Sequence, residues 1–163
     1  MVNYTNFDGG REAAGYKGKT GDCVIRAIAT ALSDPNTRQE VLYKKVYDDL
    51  FQLNKDYPSK KRDWVAKALK GKGGSPRTGN YKKVYHSYIL SLGFTWVPLM
   101  KVGSGCQVHV REDELPSNQT LILRLSKHLA CYKNGWLLDT YDCSRGGTRC
   151  VYGYYIKHQR GVT

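Results

Sequence analysis

The chain has 163 residues, and its 26 Lys and Arg against 14 Asp and Glu give a formal net charge of +12. This length is typical of one domain with a substantial buried core, so we expect a single domain over residues 1–163. No apolar run approaches the ~20 residues that cross a bilayer, and the N-terminus lacks the basic and apolar regions of a signal peptide. We therefore expect a cytoplasmic protein without membrane contact.

The first half of the chain predicts helices. Residues 1–20 are polar and rich in glycine, which indicates an irregular lead-in. A wide apolar face then predicts a buried helix with Asp22 as its N-cap. The stretch from Thr37 to Glu40 has the form of a capping box and opens a second helix. The predicted helices cover residues 23–32, 37–53, 61–69 and 81–92.

The second half changes to strand patterns. The dipeptide Asn134-Gly135 between two apolar runs is a strong signal for a two-residue hairpin, in which Lys133 pairs with Trp136. Helices followed by strands imply an α+β domain, with N-terminal helices packed on a C-terminal antiparallel sheet. The predicted strands cover residues 94–99, 106–110, 119–125, 128–132, 136–141 and 150–157.

The five cysteines include no C-x-x-C pair. An odd number in a chain of this length argues against a disulfide framework and favours a reducing compartment. We expect Cys131 in the core, and Cys143 and Cys150 as reduced thiols near a loop. A zinc site from these three has spacings that fit no familiar motif, so we expect neither a metal nor a cofactor.

Cys23 is the most informative residue because it stands at the start of a predicted helix. The free N–H groups and the positive end of the helix dipole stabilise a thiolate there, and the thiolate is the reactive form of cysteine. The structural alternative is a buried core thiol, since free cysteine is among the most buried residue types.

His128 and Asp139 lie on the two strands of the predicted hairpin. With a two-residue turn they share a face as diagonal neighbours, within reach of one another. A three-residue turn shifts the register and brings in Asp142 instead. Considered alone, the histidine could be a structural residue of the sheet, and Asp139 could simply cap the turn at Thr140. Together with Cys23 they predict a nucleophile, a general base and an orienting carboxylate.

Three segments resemble the papain-like cysteine peptidase superfamily: Gly21-Asp22-Cys23-Val24-Ile25-Arg26-Ala27, Ser126-Lys127-His128-Leu129-Ala130 and Leu138-Asp139-Thr140-Tyr141-Asp142. More narrowly, the chain resembles small bacteriocin-leader-peptidase-like proteins encoded by bacteriophages. The resemblance covers about half the chain. It implies a papain-like fold and a hydrolase that cleaves a peptide or isopeptide bond of a cytosolic protein through a thioester, in the host cytoplasm.

The chain departs from the papain-like pattern before the nucleophile. These enzymes usually place a Gln there as the second oxyanion donor, whereas no Gln or Asn occurs between Gly10 and Asp22. Lys17, Lys19 or Thr20 are the candidate substitutes. Losing one such donor costs on the order of a hundredfold in rate, which leaves room for a slow enzyme, an acyltransferase or an inactive fold.

A basic helical insertion is predicted at about residues 55–83, where ten Lys and Arg face two Asp. Such a patch attracts nucleic acid or an acidic protein, although a solvated helix face is the commoner explanation. The alternative function is thus a papain-like fold that serves as a basic binding protein. The candidate binding residues are Lys60, Lys61, Arg62, Lys67, Lys82 and Lys83.

Overall fold

The computed structural model describes residues 2–17, 21–57, 75–101 and 103–157. Within these ranges, three helices and one six-stranded sheet form the α+β arrangement that the sequence predicts. The helices are α1 (Cys23–Ala31), α2 (Gln39–Asp56) and α3 (Lys82–Ser91). The strands are β1 (Asn3–Asn6), β2 (Phe94–Pro98), β3 (Thr120–Leu125), β4 (His128–Lys133), β5 (Trp136–Asp139) and β6 (Gly153–Lys157).

The sheet has the strand order β1-β5-β4-β3-β6-β2. All neighbours pair antiparallel except β1 and β5, which are parallel, so the sheet is mixed rather than purely antiparallel. The prediction of an irregular lead-in was therefore wrong for Asn3–Asn6. This edge strand is largely exposed, so it lacks the apolar pattern of a strand, and backbone pairing with β5 holds it in place.

The hairpin prediction is confirmed. Lys133 pairs with Trp136 across a two-residue turn, and Asn134 and Gly135 have φ of 51° and 83°. Those positive values are what a type I′ turn requires, and Asn and Gly adopt them more readily than other residues. The antiparallel register therefore brings the start of β4 and the end of β5 to the same end of the sheet.

Two apolar clusters cover the two faces of the sheet. The helices form one cluster with side chains such as Ile122, Leu129 and Cys131, all of which are buried. The alternate residues of the same strands, among them Leu123 and Tyr132, form the second cluster with the loops after β2 and β5. This alternation follows from the period of two along a strand. The core position predicted for Cys131 is confirmed.

The predicted capping box is not formed at α2. The helix begins at Gln39, with Arg38 as its N-cap and no side-chain cap. The amide of Gln39 instead donates to the carbonyl oxygens of Gly9 at 2.8 Å and Ala29 at 3.0 Å. Asp22 does occupy the N-cap position of α1, but its carboxylate bonds to side chains, including that of Arg26, rather than to the backbone N–H groups of the helix.

The predicted strand over 106–110 is reduced to one isolated bridge between His109 and Cys150. Cys106 and Cys150 form a disulfide, so the expectation of a reduced Cys150 was wrong. Spacing alone did not reveal this pair, because its members are 44 residues apart and meet only when the loop folds over the start of β6. Cys143 is a free thiol in the loop after β5, as expected, and its side chain is fully buried.

The predicted helix over 61–69 lies outside the described residues, as do the candidate binding residues Lys60, Lys61, Arg62 and Lys67. The last two candidates, Lys82 and Lys83, are exposed in the first turn of α3. Among the described residues, no helix combines the length and apolar character that crossing a membrane requires.

Candidate active site

The end of the sheet where β4 begins and β5 ends carries His128 and Asp139. The His128 Nε2 atom lies 2.6 Å from the Asp139 Oδ2 atom, and both side chains are buried. The diagonal pairing across the hairpin thus places the carboxylate where it can orient the imidazole. Asp142, the alternative from the other register, is exposed and accepts hydrogen bonds from Ser144.

Cys23 is the first residue of α1, its thiol is half-buried, and it interacts with the His128 imidazole. Burial raises the pKa of the thiol, but the His128 imidazole and the backbone N–H of Leu129 outweigh that effect. The net result is a pKa below the ordinary value of a cysteine. Since the thiolate is the nucleophilic form, this environment favours reactivity.

The pKa of the His128 imidazole is shifted in the opposite direction, upward. Burial alone lowers its pKa, yet the contacts with Asp139 and with two thiols raise the pKa well above its usual range. Burial also raises the pKa of Asp139, but the imidazole and the Arg26 guanidinium hold it below the ordinary value of an aspartate. These directions favour the thiolate of Cys23 and the imidazolium of His128, with the Asp139 carboxylate as partner of the imidazole.

Arg26, which the sequence reasoning did not single out, joins the two halves of the site. Its Nη1 atom lies 2.5 Å from the Asp139 Oδ1 atom and 2.9 Å from the Thr140 hydroxyl. Its Nε atom lies 2.8 Å from the Asp22 Oδ1 atom. The guanidinium therefore ties the residue before the nucleophile to the carboxylate behind the histidine.

Asp22 is fully buried and has three partners in all. Besides Arg26, it accepts hydrogen bonds from the Tyr43 hydroxyl at 2.7 Å and from Arg11 at 3.2 Å. A buried carboxylate needs such partners to offset its loss of hydration. A sequence signal for this network did exist, because Asp22 and Arg26 have the i,i+4 spacing of a helical ion pair on an otherwise apolar helix.

Gly9 and Gly10 bring the segment that carries Arg11 against the helices. At Gly10, which has a φ of 99°, a Cβ atom would lie 2.5 Å from the backbone oxygen of Gln39. At Gly9 it would lie 2.9 Å from the backbone oxygen of Arg26. Only glycine allows this approach without displacing a neighbour.

Of the three candidates for a second oxyanion donor, Lys17 is the one that the structure describes. Its side chain is exposed, and its carbonyl oxygen accepts a hydrogen bond from Arg77 at 3.2 Å. The other two candidates, Lys19 and Thr20, lie outside the described residues. The backbone N–H of Cys23, at the start of α1, is available as one donor.

No family model, no curated protein and no solved structure matches this chain. The geometry of the site therefore carries the functional argument.

His128, Asp139 and Cys143 are the one group of possible metal ligands among the described residues, and their ligand atoms lie within 4.8 Å of one another. The arrangement suits a shared proton better than a cation. His128 and Asp139 already hydrogen-bond directly, and Arg26 places a full positive charge on the same carboxylate. A second cation next to that guanidinium would meet electrostatic repulsion.

A cleft of about 770 Å³ opens beside the histidine. Tyr141 forms one wall, and its ring centroid lies 5.4 Å from that of His128. Thr140 and Arg26 contribute to the same cleft, as do Arg11 and Glu12. The cleft is thus polar, and Tyr141 is the residue through which it adjoins His128, which is not itself part of the lining.

Proposed function

We propose that this chain is a papain-like cysteine hydrolase that uses Cys23, His128 and Asp139 and passes through a thioester. One observation carries the proposal: the His128 imidazole contacts the Asp139 carboxylate at 2.6 Å and also lowers the pKa of the Cys23 thiol. An imidazole held in this way can take a proton from one partner while the other fixes its orientation.

The reaction begins when the Cys23 thiolate attacks the carbonyl carbon of an amide. The carbonyl oxygen becomes an oxyanion that the backbone N–H of Cys23 stabilises. The His128 imidazolium then gives its proton to the leaving nitrogen, the C–N bond breaks, and an acyl thioester remains on Cys23. Neutral His128 next takes a proton from water, which attacks the thioester and releases the acid and the thiolate.

Asp139 and Arg26 act without touching substrate. Asp139 accepts the second N–H of the imidazole and stabilises its charged form. Arg26 holds Asp139 from the other side and links it to α1, so that the thiol and the imidazole keep their relative positions. We class Arg26 as a positioning residue.

The cleft beside Tyr141 supports a peptide or protein as substrate. A general acid protonates the leaving group, so the leaving half of the substrate occupies the histidine side of the site. The polar walls formed by Arg11 and Glu12 suit a peptide backbone better than an apolar ligand. We further propose a phage-encoded enzyme that acts in the host cytoplasm, which rests on the resemblance of the three sequence segments.

A peptide digest tests this function. Wild-type protein is incubated with a mixture of peptides of known sequence, and new termini are identified by mass spectrometry. We expect new termini with the wild type and none with Cys23→Ser, since a hydroxyl lacks the reactivity of the thiolate. An added primary amine separates hydrolysis from acyl transfer, because transfer leaves the amine on the new carboxyl terminus.

Cys131→Ser is the matched control, because it removes a buried thiol that lies outside the site. It should leave the product pattern unchanged. Products that persist in Cys23→Ser would contradict the proposal. So would a wild type that yields neither new termini nor an acyl adduct on Cys23, a result that favours the alternative of a basic binding protein.

A further inference from the structure

A second sulfur site joins the loop between β2 and β3 to the segment just before β6, apart from the Cys23 site. It is the disulfide between Cys106 and Cys150, whose Cα atoms are 5.8 Å apart. Cys106 is exposed. Cys150 is half-buried, and its Sγ atom lies 3.8 Å from the Sδ atom of Met100. Structural disulfides are generally shielded, whereas exposed ones exchange with external thiols.

A histidine contacts one of the two sulfurs. The His109 Nε2 atom lies 3.6 Å from the Cys106 Sγ atom. The other ring nitrogen, Nδ1, lies 3.2 Å from the Glu114 Oε1 atom. Arg111 approaches the second oxygen of Glu114 at 3.5 Å and so helps to fix the carboxylate. A carboxylate, an imidazole and a sulfur thus follow one another in space, as they do in the first site, although different residues provide them.

We propose that the Cys106–Cys150 disulfide, with His109 and Glu114, is a thiol–disulfide exchange site for low-molecular-weight thiols. An imidazole beside a sulfur can supply a hydrogen bond or a proton to the thiolate that the sulfur becomes, and a better leaving thiolate departs faster. Because His109 contacts Cys106, the Cys106 sulfur is the leaving group and the Cys150 sulfur is the one attacked.

The exchange proceeds in two steps. A thiolate RS⁻ attacks the Cys150 Sγ atom, the Cys106–Cys150 bond breaks, and its electron pair stays on Cys106 as a thiolate. A second RS⁻ attacks the mixed disulfide on Cys150, forms RSSR and releases the Cys150 thiolate. The two protons of the original thiols end on Cys106 and Cys150, so two thiols are oxidised and one protein disulfide is reduced.

The disulfide closes a segment that contains β3, β4 and β5, and therefore His128 and Asp139. Opening it removes a covalent restraint from the loop that carries Cys143, the buried thiol beside His128. Disulfides of cytosolic proteins are usually transient, catalytic or redox-sensing. An exchangeable disulfide at this position is therefore compatible with the cytoplasmic location proposed above, on which this step rests.

Thiol counting is the first part of the test. The Cys23→Ser variant, which lacks the reactive thiol that would itself take up glutathione, is oxidised with oxidised glutathione, freed of small molecules and titrated with a thiol reagent in denaturant. We expect two reactive thiols, from Cys131 and Cys143, and four after full reduction. Four reactive thiols in the oxidised sample would overturn the proposal.

The second part follows reduction by glutathione, with iodoacetamide as a trap and mass spectrometry as the readout. Early in the reaction we expect glutathione on Cys150 and the alkyl group on Cys106. His109→Gln should slow the first step about fivefold or more, because the leaving thiolate loses the imidazole that contacts it. Glutathione found on Cys106 instead would overturn the assigned direction of attack, and with it the role of His109.

Lys101→Gln is the matched control. It removes a positive charge from the same loop, and the Lys101 side chain is exposed. Its reduction rate should stay within about twofold of the wild type if contact with the sulfur matters rather than overall charge. Equal slowing in the two variants, or no slowing in His109→Gln, would overturn the proposal. Far-UV circular dichroism of each oxidised variant verifies its fold.

Discussion

At the scale of single residues, the site depends on charges that are buried together. Arg26 is 7% exposed and bonds to two carboxylates, one of which, on Asp22, is fully buried. In such a setting the guanidinium offsets the cost of burying both negative charges. The same side chain therefore contributes to folding and to the position of the histidine.

Arg26→Met tests the contribution to folding. The change leaves Asp22 and Asp139 without their shared cation, and breaking a buried pair in this way typically costs about 3–5 kcal/mol. We expect a loss of this order in the free energy of unfolding measured with urea. Lys45→Met is the control, because the Lys45–Asp49 pair is exposed and should hardly matter. Similar losses of unfolding free energy in both variants would contradict a stabilising role for the buried ion pairs of Arg26.

Asp139→Asn and Asp142→Asn separate the two candidate carboxylates. The first change removes the charge that stabilises the imidazolium, and we expect the rate of product formation to fall on the order of a hundredfold or more. The second alters an exposed cap on Ser144 and should change the rate less than about twofold. A larger loss in Asp142→Asn than in Asp139→Asn would reverse the assignment.

At the scale of elements, the segment after β1 lies against α1 and α2. Gly10→Ala introduces a Cβ atom 2.5 Å from the backbone of Gln39, whereas the same change at Gly15 meets nothing within 4 Å. Both glycines have φ near 90°, so the backbone strain is similar and the pair isolates the steric clash. We expect Gly10→Ala to cost about 1–3 kcal/mol more in urea unfolding. Equal costs would show that this approach is not tight.

The elements differ in how far the sequence could predict them. The start of α1 at Cys23 and the turn at Asn134-Gly135 follow from local signals, and the hairpin register then places Asp139 beside His128. The strand β1 could not be predicted, because its pattern is polar and its pairing with β5 is a long-range backbone contact. The Cys106–Cys150 disulfide could not be predicted either, because it is also a long-range contact that no local pattern indicates.

The role of Arg26 could have been inferred only in part. Its i,i+4 spacing from Asp22 was visible, whereas its contact with Asp139 depends on how α1 packs across the end of the sheet. A packing angle of this kind is set by the whole core rather than by any local pattern. The second oxyanion donor stays a prediction, since two of its three candidates lie outside the described residues.

At the scale of the whole molecule, the site couples stability to pH. The pKa of Asp139 is lower in the folded protein than in the unfolded chain, where it is about 3.9. The resulting stability is fully present above that unfolded value and is lost as the pH falls through the lower folded pKa. We expect the urea midpoint to fall more steeply below about pH 4 in the wild type than in Asp139→Asn. An equally steep fall of the urea midpoint in both proteins would contradict the lowered pKa of Asp139.

The central claim is that Cys23 and His128 form a thiolate–imidazolium pair, and the pH dependence of Cys23 alkylation tests it most directly. The rate of modification by iodoacetamide is followed by mass spectrometry from pH 4 upward, in wild type and in His128→Gln. We predict that the wild-type rate reaches half its maximum below about pH 8.5, the ordinary value of a cysteine, and that His128→Gln moves this midpoint upward. A wild-type midpoint at the ordinary value that does not move in the variant would contradict the claim.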